Sequence, residues 1–123
     1  GMSLQTPGEA PVAPGRALVD APLSGPEGAV WLSELAQGAF TLVGFGDVPL
    51  PDISGVKRIG VNQSADYPCY DATQGIALAR YGTGLAYLFR PDGHVCAVFA
   101  NPERAVVQTA MSRALGADLE SVT

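Results

Sequence analysis

The chain has 123 residues, 47% of them apolar and 15% charged, with a formal net charge of −5. This length suits one domain with a single core, and the apolar content excludes wholesale disorder. The seven basic residues are scattered singly, so no basic stripe exists for nucleic acid or an anionic membrane surface, and no apolar run reaches the roughly 20 residues that a bilayer span needs.

In chain order, residues 1–15 ("GMSLQTPGEAPVAPG") are rich in Pro and Gly and lack periodicity. They read as a flexible leader, with Gly1 an added residue, ahead of a single domain over 16–123. No basic segment followed by an apolar one marks secretion, so the expected compartment is the cytoplasm. "RALVDAPL" (16–23) suits an edge strand or an extended arm, because Pro22 limits its pairing. "AVWLSELAQG" (29–38) reads as a short helix closed by Gly38, with Trp31, Leu32 and Leu35 turned inward.

"FTLVGFG" (40–46) is a continuous apolar run between turn residues, the pattern of a strand buried on both faces. Two prolines and a glycine make 47–55 a loop, and "VKRIGVNQ" (56–63) is a second central strand. Asp71 with Gln74 forms a capping-box pattern, which predicts a helix from Asp71 to about Gly82.

"YLFRPDGHVCAVFA" (87–100) then places Arg90, Pro91, Asp92, Gly93 and His94 between two strand-like runs. Pro91 pre-sets the second position of a β-turn, Asp92 suits the third, and Gly93 tolerates positive φ. An antiparallel hairpin over 85–99 follows. The last element is a helix capped by Asn101, with Pro102 in its first turn and Gly116 at its end. Val106, Val107, Ala110, Met111, Ala114 and Leu115 give it one apolar stripe. The order is helix, strand, strand, helix, hairpin, helix. It predicts an α/β fold with a mixed central sheet, the hairpin at one edge and helices on both faces, which is the thioredoxin-like plan.

Gly15-Arg16, Ala21-Pro22, the 40–46 strand, Asp71, Tyr81-Gly82 and, above all, Arg90-Pro91-Asp92-Gly93-His94 occur in an order that resembles the C-terminal domain of the flavin-dependent aromatic hydroxylases. These are the phenol and hydroxyphenylpropionate monooxygenases and their relatives. The resemblance covers residues 15–100. It implies a thioredoxin-like accessory domain that takes part in dimer contacts and holds no flavin ligand and no catalytic residue; FAD belongs to other domains of the full-length enzymes. The partners it implies are a second copy or a flavin hydroxylase, and Arg90 to His94, Asp71 and Tyr81 are the candidate interface residues.

Two readings stand beside it. A thiol-redox enzyme of this fold carries its thiolate after the central strand, at a helix N-terminus. That stretch is "GFGDVPLP", without a Cys and without a helix start. Cys69 is the alternative thiol, but Asp66 and Asp71 flank it, and their charge opposes a thiolate. Cys96 lies mid-strand as a small apolar residue, and the two cysteines match no CxxC or zinc spacing. A small aromatic ligand could instead meet Trp31, Tyr67, Tyr70 and Tyr81. Gly44-x-Gly46 opens a dinucleotide fingerprint that fails at Pro49, and "YGTG" (81–84) is a helix stop rather than a phosphate cradle.

Overall fold

A computed structural model describes residues 11–122, with side chains as far as Gly116. Seven strands form one mixed sheet: β1 (Pro22–Gly25), β2 (Gly28–Trp31), β3 (Phe40–Phe45), β4 (Val56–Val61), β5 (Cys69–Ala72), β6 (Leu85–Phe89) and β7 (Val95–Phe99), in the spatial order β2-β1-β5-β4-β3-β6-β7. The helices are α1 (Leu32–Leu35), α2 (Ile76–Tyr81) and α3 (Arg104–Val122). This is the mixed-sheet α/β fold expected from the element order.

The centre of the sheet follows from the apolar runs. β3 pairs in parallel with β4 and antiparallel with β6, and five of its six residues are buried. Leu85–Phe89 is buried throughout and pairs antiparallel with β7, with a register shift at Leu88/Phe89. Because side chains alternate along a strand, the sheet separates two apolar layers. Val43, Phe45, Tyr87 and Phe89 face a layer with Leu32, Ala77 and Tyr81 from α1 and α2. Leu42, Ala86 and Leu88 face the other, closed by Val48, Leu50 and Ile53 from the 46–55 loop and Val107 from α3.

Several local expectations are corrected. Residues 29–31 form a strand, and only Leu32–Leu35 is helical; Trp31 is 51% exposed while Leu32 is buried. The cause is the Gly25-Pro26-Glu27-Gly28 turn, which folds 22–31 into a hairpin before the helix can start. Pro22 opens β1, which is internal to the sheet between β2 and β5 rather than at its edge. Asp71 caps no helix. It sits in β5 opposite Ser24, because β1 and β4 supply strand partners on both sides of β5. Helix begins at a 3₁₀ turn, Thr73–Gly75, and α2 stops at Gly82, whose φ is +85°. α3 runs through Gly116 to Val122, and of its stripe only Val107 is buried, while Val106 and Leu115 stand about half exposed.

The folded body also starts earlier than residue 16. Val12 is buried in the core, and the Gly15 N–H donates to the Val95 carbonyl at 2.7 Å. Residues 11–18 are thus an arm laid on the sheet margin, with Ala17 bridging to His94. Residues 1–10 of the expected leader lie outside the described residues.

Candidate functional site

The carboxyl ends of the parallel strands β3 and β4 are where a fold of this kind offers a reactive group, since the crossover that follows β3 starts there. Here the crossover is the 46–55 loop without a helix, so no helix dipole points at the position. The space is filled from β4. After Val61 the chain turns through Asn62, at φ +57°, and its side-chain oxygen accepts the Ala72 N–H at 2.7 Å. This sends Gln63 back across the strand ends. Its Nε2 donates to the carbonyls of Gly46 (2.7 Å) and Val48 (2.9 Å), while its Oε1 accepts from the Tyr67 hydroxyl.

Gln63 fits only because the strands beneath it lack side chains. A Cβ on Gly44 would lie 2.9 Å from Gln63 Nε2, and one on Gly60 would lie 2.6 Å from its Cγ. Mid-strand glycines at adjacent, paired positions mark such a close approach. They were the available sequence signal for Gln63, which pattern reading missed. Tyr67 braces the amide from outside, with the Arg58 guanidinium 4.8 Å above its ring and burial pushing its phenol up. The arrangement ties the loop carbonyls down, and the one thiol at its margin is that of Cys69, whose sulfur would lie 2.9 Å from a Cβ on Gly60.

Cys69 opens β5 beside this plug, half-buried, with its thiol donating to the Tyr67 carbonyl at 3.3 Å. Cys96 lies in β7, where burial pushes its thiol up. Both are free, and four strand spacings separate β5 from β7, roughly 19 Å. A bridge between them is excluded by distance.

The Arg90–His94 segment is a tight turn: the Gly93 N–H donates to the Arg90 carbonyl at 2.9 Å, and Gly93 has φ +85°. Arg90 forms an ion pair with Asp92, and that guanidinium pulls the Asp92 carboxyl down to about 2. Asp92 Oδ1 also accepts the His94 N–H at 3.1 Å. His94 Nδ1 lies 3.4 Å from the same oxygen but makes no hydrogen bond to it. No hydroxyl or thiol accompanies the imidazole among these contacts, so the turn holds an orienting acid without a nucleophile.

Tyr81 and Asp71 do not join it. Tyr81 is fully buried, stacked on Phe45 at 4.6 Å, and its hydroxyl donates to the Val19 carbonyl and accepts the Val19 N–H. It is a core residue that pins the arm. Nor do the four aromatics assemble: Trp31 lies on the edge strand β2, Tyr67 on the plug, Tyr70 over Gly25 and Tyr81 in the core, with no ring contact among them. Among the described residues, no cluster of His, Cys, Asp or Glu could hold a metal, and no helix is long and apolar enough to cross a membrane.

No protein-family model matches the chain, and no curated protein matches it in sequence. Solved structures do resemble it. A protein described as a putative thiol:disulfide interchange protein DsbE from Chlorobium tepidum aligns over 85% of this chain and 99% of its own, at TM-score 0.63 and 17% identity. A putative protein disulfide isomerase from Bacteroides thetaiotaomicron aligns over 84% and 89%, at TM-score 0.61 and 15% identity. Peroxidoxin BcpB from Mycobacterium tuberculosis aligns over 82% and 95%, at TM-score 0.58 and 16% identity. None of these three is described as a flavin hydroxylase. Together with the β4-β3-β6-β7 core, they show that the chain has the thioredoxin-like fold.

Proposed function

We propose that this chain is a thioredoxin-like module that carries out no thiol–disulfide exchange and works through its surface. On the order of its motifs, its role is read by analogy with the accessory C-terminal domain of flavin-dependent aromatic hydroxylases, so its partner is a second copy or such a hydroxylase. The supporting observation is Gln63. It occupies the end of β3 where an attacking thiolate would have to stand, and the loop beneath it contains no cysteine.

The test is an insulin-reduction assay with dithiothreitol, alongside light scattering at micromolar concentration. The expected result is no turnover above background, a colourless protein without bound flavin, and a dimer or a complex with a co-encoded monooxygenase. Catalytic reduction of insulin would overturn the reading.

A second reading is a thiol-redox enzyme using Cys69, and the names of the structural neighbours favour it over the first. The local chemistry opposes it, because Cys69 begins a strand rather than a helix and no second thiol lies within bridging reach. Turnover that disappears in Cys69→Ser would establish this reading in place of the first.

A further inference from the structure

The β7–α3 margin carries an open trough that neither reading uses. Two cavities of about 440 and 360 Å³ meet there, sharing Cys96, Ala97, Ala110 and Arg113. The larger one runs over Ala97 to Phe99, Val106 and Thr109, whose hydroxyl donates to the Ala105 carbonyl at 2.9 Å. The smaller one opens toward the hairpin turn, with Arg90 on its wall. Ala97 on the strand and Ala110 on the helix both line the trough, and the Cys96 thiol donates to the Ala110 carbonyl at 3.6 Å. Val106 is 49% exposed on its rim.

Charge distinguishes its two halves. Arg113 stands where the cavities join and has no ion-pair partner among the described residues, whereas Arg90 is tied to Asp92. The larger, mostly apolar cavity has the Arg113 guanidinium at one end, which is complementary to a hydrocarbon ending in a single negative charge. We propose that the trough binds a linear amphiphilic carboxylate, with its tail over Ala97, Phe99 and Val106 and its head at Arg113.

Decanoate is the probe. Binding is read by calorimetry and by protection of Cys96 from a maleimide, with Cys69 as the internal reference because it lies outside the trough. Saturable binding with selective protection of Cys96 is expected, and each methylene removed should weaken it about fourfold. Arg113→Gln, an exposed position whose change leaves the core intact, should weaken decanoate by about tenfold. Decan-1-ol should bind the native protein more weakly and be indifferent to the substitution. Absence of saturation at millimolar decanoate, equal affinity for the alcohol, equal protection of both cysteines, or an unaffected Arg113→Gln protein would each overturn the proposal.

Discussion

The two faces of the sheet are built on different principles. On the α1/α2 face, Phe45, Tyr81, Tyr87 and Phe89 form a continuous ring cluster, with Phe45 and Tyr81 nearly parallel and Tyr87 edge-on to Tyr81 at 4.9 Å. Its buried hydroxyls are satisfied: Tyr87 donates to the Tyr81 carbonyl at 2.7 Å, and Tyr81 bonds to Val19. On the opposite face, a loop and one turn of a long helix cover Leu42, Ala86, Leu88 and Phe99, and Val107 is the buried anchor of α3. Both faces have fully buried centres, but the first is interlocked by aromatic rings, whereas the second leaves Val106 and Leu115 of its covering helix about half exposed.

The largest test of that contrast is Tyr81→Ala. It removes a fully buried ring from the cluster and releases the arm at Val19, so a loss of about 3–5 kcal/mol is expected in denaturant unfolding. A loss below about 1 kcal/mol would mean that the ring cluster does not carry the fold. Gln63→Leu comes next. It keeps the volume but takes the Gln63 donor from the Val48 carbonyl and leaves the Gly46 carbonyl with only the Val48 N–H, which costs about 1–3 kcal/mol. Hydrogen exchange should show the loosening confined to residues 46–50, with the sheet centre unchanged. Gly116→Ala works in the opposite direction. The glycine sits inside α3 with nothing within 4 Å of an added Cβ, so about 0.5–1 kcal/mol of stabilisation is expected.

These positions also show what the sequence could reveal. The apolar run 40–46 announced the central strand because a strand buried on both faces needs no alternation. The Arg90–Gly93 turn was equally plain, since Pro, Asp and Gly each do one fixed thing at their turn positions. Asp71 misled because a capping box and a strand end look alike when the pairing partner lies in a distant hairpin, and β1 is 45 residues or more upstream of it. Trp31 misled because helical spacing counted it inward, whereas the Gly25–Gly28 turn holds it in an edge strand. Gln63 was the hardest to see. Its role depends on Gly44 and Gly60 coming together across β3 and β4, a contact made by the register and not by any local pattern.

The smallest effect concerns Asp92, and it tests whether the hairpin tip belongs to the stabilising or the exposed side of the molecule. The Arg90 ion pair, together with the His94 N–H, holds the Asp92 carboxyl at about 2, below its ordinary 3.8. A depressed folded value means that the charged form favours the folded state. That contribution is complete above about pH 4 and is lost as the pH falls from 3.8 toward 2. The side chains are 37% and 49% exposed, so water and salt screen the pair, and it contributes less than about 1 kcal/mol. Asp92→Asn should therefore lower stability slightly at pH 6 and progressively less as the pH falls through 2, with the difference at pH 6 shrinking in 1 M salt. A difference of the same size at pH 6 and at pH 2 would show that Asp92 acts through turn geometry instead, since the amide of Asn can accept the same His94 N–H less well at every pH.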